Sequence, residues 1–453
     1  MSHLLLYPYR GSGHIIPMLD LTHHLLRRGL TITIMVMADD IPLLNPLISL
    51  HPDYVHTFIY NEPKVTPSPH SSPFAKMNST QKLFGPIVQW FHSHPLPPVA
   101  IVSDFLFGWT SELASHLGIR HVVFSPSGAF NFLIMCRLWR DVEEIKDNVR
   151  EGDENFFLAL QEIPNSPRFP WWQVPGLLRD YKTGDQDCES FRKGILANMT
   201  SWGIVFNSFE GLESVYLDHM KKFMGHDRVW AVGPLLPEEH GQIDVSGRGG
   251  SSVVPLDKLV TWLDQKPDES VVYICFGSKV VLSEKQMSAL VGALELCNVG
   301  FILCLKESGS SSIPSGFEDR VGDRGFVVKG WVPQLAILRH RAVGSFVTHC
   351  GWNSTLEGIT SGVMMLTWPM TSDQFANAVL LVDQLGIGKR VCEGGPEILP
   401  EPVELAQLLE ESLSVDRPER LKIKKLSQTA AEAVKQGTST VDLDAFINLV
   451  SKI

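Results

Sequence analysis

Short apolar runs alternate with segments of helical periodicity along the first half of the chain. The runs predict strands at residues 3–8, 30–37, 54–60, 99–104, 120–124 and 203–207, and residues 230–234 close this half. The segments between them predict helices at about residues 17–28 and 109–117. Runs that are apolar on both faces are typical of parallel strands covered by helices. The pattern therefore predicts an α/β domain built on a doubly wound parallel sheet, with a less regular region at residues 125–187.

The same alternation starts again in the second half. Strands are predicted at residues 270–276, 301–305, 325–328, 343–348 and 363–367, with a helix at residues 283–297. A chain of 453 residues exceeds what one hydrophobic core normally serves, and a Gly- and Ser-rich stretch at residues 238–252 separates the halves. We therefore predict two domains, at residues 1–237 and 257–453, joined by a linker at residues 238–256. Amphipathic helices at residues 401–415, 417–435 and 439–453 are predicted to end the chain.

Composition narrows the class of protein. Apolar residues make up 44% of the chain and charged residues 20%, as in an ordinary globular enzyme. A net charge of −11 argues against a nucleic-acid-binding protein, and an anionic ligand would need positive potential from helix N-termini or histidines. The chain begins with a predicted strand and contains no run of 18 apolar residues, so we expect no signal peptide and no membrane span. The seven cysteines include no C-x-x-C pair, which favours reduced, buried thiols. We expect a cytoplasmic protein, and a monomer.

Polar residues follow two neighbouring apolar strands between residues 331 and 374. His349, Asn353 and Ser354 come directly after the strand at 343–348, where the N-terminus of the next helix offers unpaired N–H groups that suit a phosphate. Trp331 offers a flat face for a base, and Glu357 could accept hydrogen bonds from ribose hydroxyls. The residues alone therefore indicate a ligand with a nucleotide phosphate. Core packing is the competing interpretation for both Trp331 and Trp352.

The stretch from Trp331 to Gln374 also resembles a known family. Its length of 44 residues, its opening Trp-x-Pro-Gln, its central HCGWNS-x-x-E and its closing Asp-Gln resemble the signature box of the plant family-1 UDP-sugar glycosyltransferases. The resemblance implies two Rossmann-like domains facing across a cleft (GT-B type), with the last helix packing back on the first domain. It also implies a UDP-sugar as co-substrate, with no metal and no other cofactor. Met364 departs from the pattern, because the family commonly has Pro there.

The resemblance assigns roles in the donor site residue by residue. Trp331 is expected to stack on uracil, while Gln334 and Glu357 hold the ribose. His349, Asn353, Ser354 and Ser278 are expected to bind the diphosphate, and Trp352, Asp373 and Gln374 the sugar. The full set of expected UDP-sugar-binding residues is Ser278, Trp331, Val332, Gln334, His349, Trp352, Asn353, Ser354, Glu357, Asp373 and Gln374.

Two residues at strand ends of the first half are the catalytic candidates. Gly11 and Gly13 allow a tight turn after the first strand, and His14 is predicted at its tip. Asp104 ends another strand, where it is either a helix N-cap or the partner that stabilises a protonated His14. The family's Gly-His-x-x-Pro after the first strand favours His14 as general base. Ser12 stands where relatives often carry Gln.

The sequence leaves the sugar and the acceptor open. Gln374 goes with UDP-glucose in the family, whereas Pro126 stands where many relatives carry a Thr or Ser that meets the 6-hydroxyl of the sugar. Because proline has no N–H or hydroxyl to donate, UDP-xylose and UDP-rhamnose stay open. The acceptor is expected to be a small phenol such as a flavonoid or a hydroxybenzoate, held by loops within residues 64–97 and 125–172. Candidate acceptor residues are Pro126, Ser127, Trp171 and Trp172.

Three other functions compete with inverting O-glycosyl transfer. Gly11-Ser12-Gly13 with Asp39-Asp40 imitates an NAD-dependent oxidoreductase, but Ile16 stands at the third glycine position. A UDP-sugar hydrolase or epimerase and a non-catalytic nucleotide binder would use the same box. Two D-x-D triplets, at residues 185–187 in a polar loop and 442–444 in the last helix, lie away from predicted strand ends, so we expect neither to bind a metal.

Overall fold

Two parallel sheets, each flanked by helices, form the framework of the chain. The computed structural model describes residues 2–63, 73–149, 156–237, 252–306 and 313–452. The chain folds into two compact units, Met1–Leu236 with Ala433–Ile453 and Pro237–Glu432. The α/β class with two Rossmann-like domains is confirmed. Most of the predicted linker, residues 238–251, lies outside the described residues.

The first unit is built on a seven-stranded parallel sheet in the order β3-β2-β1-β4-β5-β8-β9. Strands β6 and β7 form a separate antiparallel hairpin. The strands are β1 His3–Tyr7, β2 Thr31–Met37, β3 Val55–Tyr60, β4 Ala100–Asp104, β5 Arg120–Ser125, β6 Phe157–Ala159, β7 Arg168–Pro170, β8 Gly203–Phe206 and β9 Val229–Ala231. The helices are α1 Ser12–Leu26, α2 Ile41–Leu50, α3 Pro73–Ser79, α4 Phe84–Ser93, α5 Thr110–Leu117, α6 Ala129–Arg140, α7 Val142–Asn148, α8 Gly176–Asp180, α9 Gln186–Asn198 and α10 Glu210–Met224.

The second unit is built on a six-stranded parallel sheet in the order β12-β11-β10-β13-β14-β15. Its strands are β10 Val271–Cys275, β11 Gly300–Leu305, β12 Gly325–Lys329, β13 Val343–Thr348, β14 Met364–Thr367 and β15 Gly388–Arg390. Its helices are α11 Leu256–Asp264, α12 Glu284–Leu296, α13 Phe317–Val321, α14 Gln334–Leu338, α15 Trp352–Thr360, α16 Gln374–Val379, α17 Pro402–Ser412 and α18 Pro418–Lys435. The final helix, α19 Thr438–Val450, is part of the first unit. In the described part of the chain, no helix combines the length and apolar character that crossing a membrane requires.

Helix starts are where the predictions and the structure differ. Helix α1 begins at Ser12 rather than near residue 17, because Gly11 O accepts hydrogen bonds from both His14 N and Ile15 N at 2.9 Å. Helix α15 begins at Trp352, so Asn353 and Ser354 lie within its first turn. The region expected to be irregular contains α6, a helix of 12 residues. Sequence patterns locate helix ends poorly because the first turn carries little of the apolar periodicity.

The last helix closes one edge of the first sheet. Asp442 Oδ2 of α19 accepts a hydrogen bond from Ala231 N of the edge strand β9 at 2.8 Å. The rings of Phe446 and Trp230 lie 5.2 Å apart. An edge strand has backbone groups without a neighbouring strand, and here α19 provides a partner for one of them.

His121 on β5 is buried among hydroxyl groups. Its Nε2 lies 3.2 Å from Ser103 Oγ and 3.1 Å from Thr110 Oγ1. Burial lowers the pKa of His121 from 6.5 to about 4, because the charged imidazolium would lose its hydration. The ring is therefore neutral at pH 7.

This buried histidine predicts a specific sensitivity to acid. The pKa of His121 is lower in the folded than in the unfolded state, so the unfolded chain binds more protons. The contribution of the neutral ring to the free energy of unfolding is therefore complete above pH 6.5 and is lost as pH falls toward about 4. We expect His121→Gln to reduce the loss of unfolding free energy between pH 7.5 and pH 5 by about 2 kcal/mol. Urea titrations at the two pH values measure this difference. The exposed His92, changed to Gln, serves as control and should leave the loss unaltered; equal losses in wild type and His121→Gln would contradict the assignment.

Candidate active site

His14 and Asp104 meet at the carboxyl edge of the first sheet. Asp104 is the last residue of β4, which neighbours β1, and His14 lies in the first turn of α1. His14 Nδ1 is 2.8 Å from Asp104 Oδ2. The carboxylate is fully buried, whereas 21% of the His14 side chain is exposed. The structure thus brings together the two catalytic candidates, although His14 stands inside the helix and not at the tip of a turn.

The geometry gives this pair a direction for proton transfer. A carboxylate that accepts Nδ1–H fixes the tautomer of His14, so Nε2 is the nitrogen left to accept a proton. Nε2 has no hydrogen-bond partner among the described residues. The second carboxylate oxygen of Asp104, Oδ1, accepts Leu106 N at 3.0 Å. Both interpretations of Asp104 therefore hold together, because one oxygen caps the following turn and the other orients His14.

Two aromatic rings lie close to His14. The rings of Tyr9 and Phe105 lie 5.1 Å and 5.9 Å from that of His14. Gly13 lies within helical backbone, and a Cβ added there would meet no atom within 4 Å among the described residues. The tight turn depends instead on Gly11, whose φ of 155° and ψ of 139° suit only glycine.

The candidate acceptor residues lie in two parts of the first unit. Pro126 and Ser127 are buried in the loop after β5, where Ser125 Oγ donates to Ser127 O at 2.9 Å. Trp171 and Trp172 are half-buried next to the β6–β7 hairpin. Phe169, the middle residue of β7, is buried, as expected for a packing residue. Residues 64–72 of the expected acceptor region lie outside the described residues.

In the second unit, His349 is held between two glycines at the end of β13. A Cβ at Gly277 or at Gly351 would lie 2.6 Å from His349 Nε2, so a side chain at either position would displace the ring. Cys350, between His349 and Gly351 in the chain, has φ 65°, a left-handed conformation that non-glycine residues rarely adopt. Burial lowers the pKa of His349 to about 4. The ring is therefore neutral, which leaves hydrogen bonding and the N-terminus of α15 as the means to hold an anion there.

Three predicted donor residues form one hydrogen-bonded cluster. Gln334 Nε2, at the start of α14, donates to Glu357 Oε2 at 2.6 Å and to Ser354 Oγ at 2.9 Å, both on α15. Tyr273 OH on β10 donates to Gln334 Oε1 at 3.4 Å. The Tyr273 hydroxyl thus orients the Gln334 amide so that its NH₂ group faces α15. Tyr273 was not among the predicted residues, because its role depends on strand order.

The predicted tryptophans differ in exposure. Trp331 is half-buried just before α14, where its O accepts Val253 N at 3.1 Å. Trp352 and Val332 are buried, with 5% and 3% of their surfaces exposed. Trp331 is therefore the more accessible of the two tryptophans, and the burial of Trp352 agrees with the packing interpretation. Asn353 is partly exposed at the second position of α15, and Ser278 follows Gly277 after β10.

Asp373 and Gln374 lie at the start of α16. Gln374 Oε1 accepts Met370 N and Thr371 N at 2.9 Å and 3.0 Å, which leaves its NH₂ group as the part able to donate. Asn377 Nδ2 donates to Asp373 Oδ2 at 3.0 Å and to Cys350 O at 2.9 Å. Asn377 therefore ties the two polar strand ends together. Its spacing of four residues from Asp373 on one helix is the signal that could have identified it.

The D-x-D triplets have structural roles. Asp185 Oδ1 caps α9 by accepting Cys188 N at 3.0 Å, so the first triplet begins a helix and does not lie in a loop. Asp442 accepts Ala231 N, and Asp444 pairs with Arg28 at 2.5 Å. Across the described ranges, no group of three or more His, Cys, Asp or Glu side chains is arranged to hold a metal ion.

Comparison with known proteins adds an independent line of information. The family described as UDP-glucoronosyl and UDP-glucosyl transferase matches residues 241–391. UDP-glycosyltransferase 89B2 of Stevia rebaudiana is 44% identical over 99% of this chain and 98% of its own, and flavonol 3-O-glucosyltransferase UGT89B1 of Arabidopsis thaliana is 43% identical over 99% and 96%. The crystal structure of Arabidopsis thaliana UGT89C1 with UDP-L-rhamnose superposes with a TM-score of 0.78 at 34% identity, covering 99% and 98% of the two chains. The same protein has also been solved with quercetin.

Proposed function

Because this chain belongs to the plant family-1 UDP-dependent glycosyltransferases, we propose that it moves glucose from UDP-glucose to a hydroxyl group of a flavonoid or a similar phenol. The observation that carries this proposal is the contact of 2.8 Å between His14 Nδ1 and Asp104 Oδ2, which leaves Nε2 to take the proton of the acceptor. A flavonol glucosyltransferase among the relatives and a relative solved with quercetin support the acceptor class.

The proposed reaction is a single displacement at the anomeric carbon. His14 Nε2 takes the phenolic proton while the phenolate oxygen attacks C1 and the bond from C1 to the diphosphate oxygen breaks. An α-linked UDP-glucose then gives a β-glycoside and UDP. Asp104 stabilises the imidazolium of His14, and base catalysis of this kind contributes about 10²–10⁴-fold in rate. The charge that grows on the diphosphate is met by the α15 N-terminus, together with the residues to which the family resemblance assigns this role: Ser278, His349, Asn353 and Ser354.

A different sugar is the second candidate. UGT89C1 has been solved with UDP-L-rhamnose, and rhamnose carries no 6-hydroxyl, which suits Pro126 in the loop after β5. Xylose also lacks that hydroxyl. Gln374 supports glucose, because its free NH₂ group can donate to a sugar hydroxyl. UDP-glucose, UDP-xylose and UDP-rhamnose, each incubated with quercetin and with 4-hydroxybenzoate, separate these proposals by product mass and by the anomeric coupling constant.

The outcome also distinguishes the rival functions. A glycoside of the phenol supports transfer, with the sugar read from the product mass. UDP released at the same rate without acceptor would favour a hydrolase, and tight UDP binding with no product would favour a non-catalytic binder. NAD binding detected by fluorescence would favour an oxidoreductase.

We expect removal of metal ions to leave the reaction unchanged. Three aspartates of the two D-x-D triplets are engaged in capping, edge closure and an ion pair, and Asp187 Oδ1 accepts a hydrogen bond from Asn78 Nδ2 at 3.1 Å, so none is arranged for a Mg²⁺-bound diphosphate. Transfer rates measured before and after EDTA treatment should agree, and Asp442→Asn should lower the melting temperature without creating a requirement for Mg²⁺. A loss of activity that added Mg²⁺ or Mn²⁺ restores would contradict this prediction.

We also propose that the protein is a cytoplasmic monomer. The seven cysteines are all free, and six of them are buried, as is common for proteins of a reducing compartment. Size-exclusion chromatography with light scattering measures the oligomeric state, and a fluorescent fusion the location.

A further inference from the structure

A carboxylate from a different helix caps the N-terminus of α6. Ala129 N donates to Glu213 Oε2 at 2.9 Å, and Phe130 N donates to Glu213 Oε1 at 2.8 Å. These are first-turn amides that have no partner within their own helix, and the capping position Gly128 has no side chain to serve them. A negative charge at this end is also favoured by the helix dipole. Glu213 thus fixes both the position and the direction of α6 where it begins.

Several features hold Glu213 in this place. The residue is buried, with 1% of its surface exposed, and Ser208 Oγ donates a short hydrogen bond to Oε2. Its backbone has φ −136° and ψ 27°, which interrupts the regular geometry of α10. Burial raises the pKa of this carboxyl group, while the three donors oppose that shift. Burying a carboxylate is costly, and no basic side chain pairs with it among the described residues, so three aligned hydrogen bonds are what make the arrangement stable.

The segment that Glu213 fixes leads to the catalytic pair. The loop from Ser125 to Gly128 enters α6 directly from the carboxyl end of β5, the strand beside β4. Asn131 Nδ2 of α6 donates to Ser127 Oγ at 3.2 Å, so the loop and the first helical turn are one unit. The ring of Phe132 lies edge-on to that of Phe105 at 6.1 Å, and Phe105 in turn lies 5.9 Å from His14.

We propose that Glu213 is a positioning residue for glycosyl transfer. By fixing the start of α6, it holds the Ser125–Gly128 loop and the ring of Phe105 where an acceptor hydroxyl meets His14. This inference rests on the proposed function, because it assigns to Glu213 a role in placing the acceptor of that reaction. It concerns only the first unit, so UDP binding through the residues of the second unit should not depend on it.

The test compares Glu213→Ala, Glu213→Gln and Ser208→Ala with wild type. Glu210 is the exposed first residue of α10, the helix that also contains Glu213, so Glu210→Gln is the matched control. The measurements are kcat and KM for quercetin, the ratio of its glycoside regioisomers, the dissociation constant of UDP by calorimetry, and the melting temperature. We expect Glu213→Ala to lower kcat/KM for the acceptor by about tenfold or more and to alter the isomer ratio, because small displacements of reacting groups cost large factors in rate.

The milder variants make the test independent of folding. Glu213→Gln keeps one oxygen for Ala129 N or Phe130 N, and Ser208→Ala removes only the third donor, so we expect smaller changes of the same kind in both. UDP affinity should remain that of wild type throughout. If Glu213→Gln and Ser208→Ala lower the melting temperature but leave kcat, KM and the isomer ratio unchanged, the inference is overturned and Glu213 is purely structural.

The inference and the proposed function can fail separately. A wild-type enzyme that forms no glycoside, or a His14→Ala variant of full activity, would defeat the proposed function. An active wild type, an inactive His14→Ala and Glu213 variants with wild-type acceptor kinetics would defeat only the inference.

Discussion

His14→Ala is expected to lower kcat for the phenolic acceptor by about 10²–10⁴-fold, the range that a positioned general base contributes. The reason is that no other described side chain is hydrogen-bonded to Asp104 Oδ2, so the variant has no replacement at the position of Nε2. The substitution removes a side chain that is 21% exposed, and we therefore expect little change in folding. Single-turnover kinetics with saturating donor and acceptor measure the chemical step directly.

The controls separate a lost base from a disturbed helix. His24 lies in the last turn of the same helix α1, and His24→Ala should keep the transfer rate of wild type. Asp104→Asn should fall between the two, because an amide oxygen still caps Leu106 N but no charge stabilises the protonated ring. UDP affinity should be unaltered in all three variants. A His14→Ala enzyme with wild-type kcat would remove this histidine from the mechanism.

Gly277→Ala is expected to weaken UDP binding by about tenfold or more. The added Cβ would lie 2.6 Å from His349 Nε2, so the ring must leave its place beside the N-terminus of α15. Gly277 also has φ +71°, and a left-handed alanine costs about 1 kcal/mol. Isothermal calorimetry with UDP measures the change in affinity, and urea unfolding measures the change in stability.

Gly225 offers a matched control for the backbone strain alone. It has the same φ of +71°, but a Cβ added there meets nothing within 4 Å in the described part of the chain. Both alanine variants should lose the free energy of the strained backbone, Gly277→Ala should also lose that of displacing the His349 ring, and only Gly277→Ala should lose UDP affinity. Equal UDP affinities in the two variants would mean that the position of His349 does not matter for the donor.

The strands were predictable from the sequence because parallel strands bury both faces. The predicted strand at 343–348 has the bounds of β13, and that at 120–124 falls one residue short of β5. The sheet edge where polar residues gather followed from those strands, and so did the meeting of His14 with Asp104. Helix starts were less predictable, since Gly11 and Gly351 end one conformation and begin another without an apolar signal.

Contacts between distant segments account for what the sequence did not indicate. Glu213 caps a helix that begins 84 positions earlier, and nothing in the spacing of charges marks this pair. Tyr273 reaches Gln334 only because β10 lies beside β13 in the sheet order. The neutral state of His349 likewise depends on its surroundings, which local composition does not reveal. The sequence thus indicated candidate residues from their chemistry, whereas contacts such as those of Glu213 and Tyr273 are visible only in the fold.

The return of α19 to the first unit has a consequence for biosynthesis. A ribosome makes residues 1–236 first, but the partner of Ala231 on the edge strand emerges only after the whole second unit. The second unit is continuous in the chain and can complete its contacts during translation, whereas the edge strand β9 of the unit that holds His14 lacks its α19 contacts until the final helix is made. A premature stop codon just before α19 would therefore damage the first unit, although most of that unit is encoded far upstream of the stop codon.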